Sequence, residues 1–195
     1  MQKRIILITG TPCVGKTSVA GLLASKLDAL CVNLTELATR ENLTLGKDEE
    51  RNTIIVDEAR MKRRIGEIIK KSQKADTIID GHYAVSVVPK RLVSYVFVLR
   101  RDPVELRKSM EQCGFAGRKL WENMASEILD VCLVDALKAD GEGRICEIDT
   151  TGKDAKDVAK EILKVLSGSA KCRVGIVDWL GRLEREGLLD EYLKI

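Results

Sequence analysis

A glycine-rich segment near the start of the chain limits the possible folds more than any other feature. Residues 10–17 read GTPCVGKT, which matches the pattern G-x-x-x-x-G-K-[ST] in full. An apolar, β-branched run at 4–9 precedes the segment, and residues 16–27 carry apolar side chains at helical spacing. The sequence therefore predicts a strand, a phosphate-binding loop and a helix in direct succession.

Each fixed position of this phosphate loop has a physical role. Gly10 and Gly15 allow the backbone to wrap closely around a phosphate, and amides at the helix N-terminus face the anion. Lys16 is placed to reach the β- and γ-phosphates of a nucleotide. The Thr17 hydroxyl is a ligand that Mg²⁺ accepts, so a magnesium nucleotide is the expected occupant.

The rest of the chain alternates between strand and helix patterns. Further strands are predicted at 29–34, 76–80, 94–100 and 144–148. Further helices are predicted at 57–71, 103–112, 119–138 and 154–166. Buried strands separated by helices favour an α/β fold with a parallel sheet that is covered on both faces.

Three segments do not belong to such a minimal unit. Residues 35–55 and 112–122 are predicted to form two small mobile lobes. The stretch 167–169 reads SGS, and an amphipathic pattern at 174–193 follows it, which predicts a C-terminal helical appendage. We expect this appendage to pack on the core, with docking to a partner as the alternative.

The strand at 76–80 ends in an acid. Asp80 is our candidate carboxylate for the Mg²⁺ that Thr17 would bind, although an Asp-Gly pair is also a common turn. His82 follows at the carboxyl end of the sheet, where ligands of open α/β folds collect. It could orient a water or contact a phosphate, or it could be an ordinary surface histidine.

Composition excludes several classes of protein. The chain has 195 residues, 45% of them hydrophobic, which suffices for one core, and its apolar runs are too short to span a bilayer. Six cysteines without a C-x-x-C pair and a single histidine argue against a zinc site, and we expect most thiols to be reduced and buried. The net charge of +3 does not by itself indicate nucleic-acid binding. No signal peptide pattern is present at the start, so a cytoplasmic location is expected.

The type of phosphate-loop protein can be narrowed further. A signalling GTPase would carry N-K-x-D, and the nearest string, TGKD at 151–154, lacks the asparagine. A small kinase needs a phosphate loop and two closing lobes, which 35–55 and 112–122 would supply. Arg100 and Arg101 follow the fourth strand and could neutralise charge on a transferred phosphoryl group, unless they are solvated residues at a helix entry.

Several motifs together resemble one family. The phosphate loop, the pair Asp80 and His82, the string VLR at 98–100 and the segment 114–127 are similar to the atypical adenylate kinases of archaea and eukaryotic nuclei, which include the coilin-interacting nuclear ATPase. The resemblance covers about 3–166. It implies a nucleoside-monophosphate kinase-like, three-layer α/β/α fold with a five-stranded parallel sheet. It also implies ATP and AMP as substrates, Mg²⁺, a secondary ATPase activity, and a role in late maturation of the small ribosomal subunit through a ribosomal protein of the uS11 type.

The resemblance also assigns residues. It implies a kinase domain at 1–166 with an AMP-binding lobe at about 33–56 and a lid at about 112–122, followed by the appendage at 167–195. The implied nucleotide contacts are Gly10, Cys13, Gly15, Lys16, Thr17, Ser18, Cys113 and Lys153. The implied acceptor contacts are Thr35, Thr39 and Arg40, and the implied catalytic residues are Lys16, Asp80 and His82.

The sequence departs from the family pattern at three positions. Cys13 stands where the family often has glycine, and Cys113 replaces the arginine that begins the lid motif. Thr39 aligns with the acceptor-lobe arginine, with Arg40 one place later. We therefore name Arg118 as a catalytic candidate that could replace the missing lid cation, with Arg101 as the alternative. The alternatives are an ATP-switched ribosome assembly ATPase with little kinase activity and a kinase for another small molecule.

A basic cluster lies outside these motifs. Arg60, Lys62, Arg63 and Arg64 fall on the predicted helix 57–71. Such a cluster is typical of a solvated helix face that pairs with neighbouring acids, and contact with RNA is the less favoured alternative.

Overall fold

The computed structural model describes residues 3–48, 53–140 and 142–194. Its first half contains β1 (Arg4–Thr9), α1 (Lys16–Leu27), β2 (Leu30–Asn33), α2 (Leu34–Arg40), β3 (Thr44–Asp48), β4 (Thr53–Val56), α3 (Glu58–Lys71), β5 (Asp76–Asp80) and α4 (Ala84–Val87). Its second half contains β6 (Val93–Arg100), α5 (Pro103–Gln112), α6 (Gly117–Ile128), α7 (Val131–Asp140), β7 (Ile145–Asp149), α8 (Ala155–Leu166), α9 (Trp179–Arg185) and α10 (Leu189–Tyr192).

The main sheet has five parallel strands in the order β2-β5-β1-β6-β7. The predicted parallel α/β sheet is thereby confirmed. Strand β1 lies in the centre, where its residue Ile8 is in register with Asp80 on one side and Phe97 on the other. This register brings the end of β1, and hence the phosphate loop, next to the carboxyl end of β5.

Helices cover both faces of the sheet because side chains along β1 alternate between two cores. Ile6 and Ile8 pack with residues of α1, α5, α6 and α8, whereas Ile5 and Leu7 pack with residues of α2, α3, α4 and α7. All four isoleucine and leucine side chains are at most 2% exposed. The predicted three-layer α/β/α arrangement is confirmed.

The single helix predicted at 119–138 is wrong. Two helices, α6 and α7, occupy this region, and the chain turns between them at Leu129 and Asp130. Asp130 has φ 58°, a left-handed backbone conformation that ends a helix. The apolar spacing continues across the turn, so periodicity alone did not reveal it.

The segment predicted as the acceptor lobe is built from a helix and a hairpin. It contains α2 and the antiparallel pair β3 and β4, while residues 49–52 lie outside the described part of the chain. Asn33 begins α2 by accepting a hydrogen bond from the amide of Glu36 at 3.0 Å. The end of β2 and the start of the lobe are therefore fixed together at the carboxyl edge of the sheet.

The C-terminal segment forms two short helices, α9 and α10, rather than one continuous helix. Trp179, Leu183 and Tyr192 are each 8% exposed or less, and Leu183 and Tyr192 join the core on the α1 face of the sheet. Core packing, which we expected, is confirmed for these side chains. No helix in the described ranges is both long and apolar enough to cross a membrane.

The expected state of the cysteines is partly wrong. Cys146 of β7 and Cys172 form a disulfide that ties the C-terminal segment to the sheet. Cys31 and Cys113 are exposed and Cys13 and Cys132 are half-buried, so most thiols are not in the core. The pairing joins positions 26 residues apart, a long-range contact that no local motif in the sequence marks.

Candidate active site

The phosphate loop takes the predicted place between β1 and α1. Gly10 has φ 135°, and a Cβ there would lie 2.4 Å from the carbonyl oxygen of Leu99, so only glycine fits. Gly15 precedes α1 with φ 97°, and no side chain caps this helix. The first amides of α1 are therefore available to an anion, as a phosphate site requires.

Lys16 rests on the loop itself. Its Nζ donates a hydrogen bond to the carbonyl oxygen of Thr11 at 2.9 Å. Burial lowers the pKa of Lys16, while the nearby charge of Asp80 acts in the opposite direction. The ammonium group is thus held within the loop, next to the place where the phosphates would enter.

Asp80 brings the candidate metal ligands together. Its Oδ2 accepts hydrogen bonds from the Thr17 hydroxyl at 2.6 Å and from the side-chain amide of Asn33 at 2.8 Å. Its Oδ1 is buried and has no hydrogen-bond partner in the described structure. A buried carboxylate oxygen without a partner costs free energy unless a ligand satisfies it. Together with the Thr17 hydroxyl, it provides the hard oxygen donors that Mg²⁺ prefers, so these residues fit the ion.

His82 and Tyr83 continue the same edge of the sheet. The His82 backbone carbonyl accepts a hydrogen bond from the Thr9 hydroxyl at 3.1 Å, and its ring meets Tyr83 edge-on. More than a third of the His82 surface is exposed to the cleft. Surrounding protein and then the charge of Lys16 lower the pKa of His82 to about 4. The imidazole is therefore neutral at pH 7 and acts as a hydrogen-bonding group rather than a cation.

A cleft of about 780 Å³ connects these residues with the acceptor lobe. Its lining includes Lys16, Thr17, Asp80 and His82 on one side and Thr35, Thr39 and Ile54 on the other. Phe115, Lys119 and Asn123, near and on α6, form a further wall. The volume and the mixed polar and apolar lining suit a nucleotide-sized ligand.

Four other residues that we predicted to be part of the site do not line this cleft. Arg118 has a side chain that is 69% exposed and pairs with Glu122 at 2.8 Å. Arg40 is equally exposed and pairs with Glu41 at 3.5 Å. Lys153 bonds the carbonyl oxygen of Asp149, and Ser18 is exposed on α1. Their assigned roles stay predictions.

We expected Arg100 either to face a phosphoryl group or to be solvated at a helix entry, and both expectations are wrong. Its side chain is 1% exposed and pairs with Glu127, Asp130 and Glu147. Burial alone would lower the pKa of Arg100, but the acids outweigh it and raise the pKa. Arg101 is half-buried and pairs with Glu105 at 3.3 Å. The Arg100 side chain therefore has a structural role and does not face the cleft.

The two cysteines that depart from the family pattern, Cys13 and Cys113, are neighbours at the phosphate loop. The Cys13 thiol lies close to the Cys113 thiol of the segment between α5 and α6. Burial, followed by the neighbouring Cys113 thiol, raises the pKa of Cys13 to about 12, so it stays protonated at neutral pH. Cys13 has φ 68°, a left-handed conformation in which glycine would be unstrained.

Sequence reasoning missed several residues of the site. Asn33 ends β2 beside β5, and the rule that strand ends meet at one edge of a parallel sheet could have identified it. Tyr83 has a buried hydroxyl without a partner in the described structure, and nothing in its sequence context marks it. Glu127, which bonds the loop residue Thr11, belonged to a motif that we quoted without a role.

Comparisons with known proteins show the family of the chain. A family model described as "AAA domain" matches residues 6–130. Proteins named "Putative adenylate kinase" are similar along most of the chain. That of Methanocaldococcus jannaschii is 34% identical over 89% of this chain and 92% of its own length. That of Pyrococcus furiosus is 38% identical over 90% and 91%, respectively.

Solved structures show the same fold. Shikimate kinase from Acinetobacter baumannii superimposes with a TM-score of 0.62 at 17% identity, covering 86% of this chain and 94% of that one. Thymidylate kinase from Candida albicans gives a TM-score of 0.54 at 15% identity, covering 86% and 92%. At such identities these structures support a phosphate-loop kinase fold and nothing finer. The similarity to the archaeal proteins along about nine tenths of the chain, with the match to the AAA domain model, shows that this chain is a nucleotide kinase that belongs to the family of the proteins named "Putative adenylate kinase".

Proposed function

We propose that the protein is an adenylate kinase that transfers the γ-phosphoryl group of ATP to AMP and forms two ADP. The observation that carries the proposal is the cleft, which joins Lys16, Thr17, Asp80 and His82 to Thr35 and Thr39 of the acceptor lobe. One continuous space with phosphate-binding groups at one end and a separate polar wall at the other suits a donor and an acceptor. The names of the archaeal relatives support the same acceptor.

Different residues of the cleft would bind the phosphates and the metal ion. The loop amides and Lys16 would bind the ATP phosphates, and Thr17 with the unpartnered Oδ1 of Asp80 would hold Mg²⁺. When bound, Mg²⁺ neutralises charge on the phosphate oxygens. Phosphoryl transfer needs little covalent help from the protein, so positioning and electrostatics carry most of the catalysis.

His82 and the acceptor lobe would orient the second substrate. A neutral imidazole can accept a hydrogen bond from a water or donate one to a phosphate oxygen. The Thr35 and Thr39 side chains provide polar contacts on the opposite wall. The apolar side chains of Ile54 and Phe115 line the same cleft and would contact the bound substrates.

The test is ADP production from Mg-ATP by the purified protein, with and without AMP. Lys16→Ala is the control for contaminating enzymes, and Asp80→Asn tests the metal ligand. We expect AMP to raise ADP formation strongly in the wild type and both variants to lose that response. ADP formation that AMP does not stimulate would contradict the proposal.

One observation favours a second function. No arginine lines the cleft among the residues that the structure describes, since Arg100 is buried and Arg118 and Arg40 pair elsewhere. Arginines stabilise the charge of a transferred phosphoryl group, so transfer to AMP would be slow without them. An ATPase with little kinase activity is therefore the alternative. A role in small ribosomal subunit maturation, with a ribosomal protein of the uS11 type as partner, is implied for it by the family resemblance alone. Slow hydrolysis of ATP that AMP leaves unchanged would favour it.

Arg118 provides a sharper test of the kinase. If it moves over the substrates during turnover, Arg118→Ala lowers AMP-dependent ADP formation while ATP binding changes little. The matched control is Lys160→Ala, since Lys160 is 67% exposed and also pairs with an acid on its own helix, Asp157. Equal rates for wild type and Arg118→Ala would remove Arg118 from the mechanism.

A further inference from the structure

Glu127 connects the phosphate loop to the interior of the protein. It lies near the end of α6, and its side chain is 1% exposed. Its Oε2 accepts a hydrogen bond from the Thr11 hydroxyl at 2.6 Å. Its Oε1 accepts three more, from Arg100 Nε at 2.9 Å, the Arg101 amide at 3.1 Å and the Trp179 indole at 3.1 Å. Both oxygens are therefore engaged, and only one of them faces the loop.

Thr11 links this carboxylate to the phosphate-binding lysine. Its side chain bonds Glu127, while its carbonyl oxygen accepts the hydrogen bond from Lys16. Thr11 is 1% exposed, and it follows Gly10, which has no side chain to anchor the loop. The hydrogen bond from Thr11 to a charged acceptor is thus a strong constraint on the first half of the loop.

The C-terminal segment reaches the same network. Trp179, at the start of α9, donates to Glu127. The Ile176 amide donates to Glu147 Oε2 at 2.8 Å, and Glu147 Oε1 accepts from Arg100 at 2.6 Å. The buried guanidinium of Arg100 therefore stands between two carboxylates, one facing the loop and one facing the C-terminal segment.

We propose that Glu127 is a positioning residue of the nucleotide site, which holds the phosphate loop through Thr11 in the shape that receives a polyphosphate. The indole of Trp179 makes the C-terminal segment part of this support. The inference rests on the nucleotide-binding half of the proposed function and not on the identity of the acceptor. A loop released from Glu127 populates other conformations, and apparent affinity falls with the fraction that is competent to bind.

The first test removes one hydroxyl. Thr11→Val keeps the size of the side chain and loses the bond to Glu127, and Thr11→Ser restores a hydroxyl. Affinity for Mg-ATP is measured by calorimetry without AMP. We expect the dissociation constant to rise about tenfold in Thr11→Val, the size of one hydrogen bond to a charged group, and to return most of the way in Thr11→Ser. Trp179→Phe should weaken binding in the same direction by a smaller factor.

A pair of glutamate variants separates positioning from stability. Glu127→Gln and Glu147→Gln both alter a buried partner of Arg100, but no hydrogen bond in the described structure joins Glu147 to the loop. We expect both variants to lower the melting temperature and only Glu127→Gln to weaken Mg-ATP binding, by about tenfold. If Glu127→Gln does not fold, the Thr11 variants decide the question.

Two results would overturn the inference. One is wild-type affinity for Mg-ATP in Thr11→Val, and the other is an equal loss of affinity in Glu127→Gln and Glu147→Gln. Neither result affects the proposed acceptor. If the variants lose affinity as expected while AMP fails to stimulate ADP formation in the wild type, the proposed function fails and the role of Glu127 stands.

Discussion

The single histidine of the chain lines the cleft, and its environment keeps it uncharged at neutral pH. The pKa of His82 is lowered to about 4, first by the surrounding protein and then by Lys16. A histidine in an unfolded chain has a pKa of about 6.5. Between these two values the unfolded chain binds the proton and the folded chain does not. Acid therefore favours unfolding in this range, while His82 has no effect on stability above it.

The difference between the pKa of His82 in the folded and in the unfolded chain can be measured by titration. In an NMR titration, the imidazole resonances of His82 should stay those of the neutral ring from pH 8 down to about 5 and change near pH 4. The free energy of unfolding should fall as the pH drops from about 6.5 toward 4, and His82→Asn should reduce that slope. A midpoint near 6.5 in the wild type would show that the ring is freely solvated.

Single residues also show how far sequence reasoning reaches. Gly10, Lys16, Thr17 and Asp80 occupy the predicted places because each follows from a local pattern attached to a strand end. The burial of Arg100 was not predictable in this way. Its three acidic partners come from α6, the turn after α6 and β7, and only the folded chain brings them together.

At the scale of elements, the segment that we predicted as the lid contains one of the three departures from the family pattern. Helix α5 ends at Gln112, Cys113 follows it, and α6 begins at Gly117. Cys113 is exposed and lies close to Cys13 of the phosphate loop. A cation at this position would therefore lie next to the bound phosphates.

We expect Cys113→Arg to raise AMP-dependent ADP formation. An arginine that stabilises the transferred phosphoryl group contributes several orders of magnitude in related chemistry, so a gain of about tenfold or more is expected even with imperfect placement. Cys113→Ala separates the loss of the thiol from the gain of the charge. The same rate in the two variants would show that a cation at 113 does not reach the substrates.

The elements also explain where prediction of the fold succeeded. Strands and their alternation with helices were predictable because the apolar runs are short and β-branched. The division of 119–138 into α6 and α7 depends on one left-handed residue, Asp130, whose side chain is held by Arg100. A conformation that a distant ion pair stabilises leaves no periodic signal in the sequence.

At the scale of the whole molecule, the disulfide fixes the path of the C-terminal segment. Cys146 is buried in β7, whereas Cys172 belongs to the chain that leaves α8. The Glu147 amide bonds the carbonyl oxygen of Arg173 at 2.8 Å in the same place. The last part of the chain is thereby attached to the edge of the sheet before it reaches Trp179.

Removal of this link should lower global stability. For a bridge between residues 26 positions apart, loop-closure entropy predicts a loss of roughly 3 kcal/mol in the free energy of unfolding. The variant to use is Cys172→Ser, because Cys146 is part of the core. Denaturant unfolding with and without a reductant provides the control, since the reductant should destabilise the wild type and leave Cys172→Ser unchanged. No effect of either change would show that the two sulfurs are not bonded in solution.

The hydrogen bond from Lys16 to Thr11 has a consequence for selectivity. A ligand that binds Lys16 must displace the Thr11 carbonyl oxygen, which already accepts a hydrogen bond from the ammonium group. A small anion that offers one or two oxygens gains little by this exchange. A polyphosphate can bind the helix amides and the lysine at once, so its gain exceeds the cost of displacement. We therefore expect the loop to bind a polyphosphate in preference to inorganic phosphate.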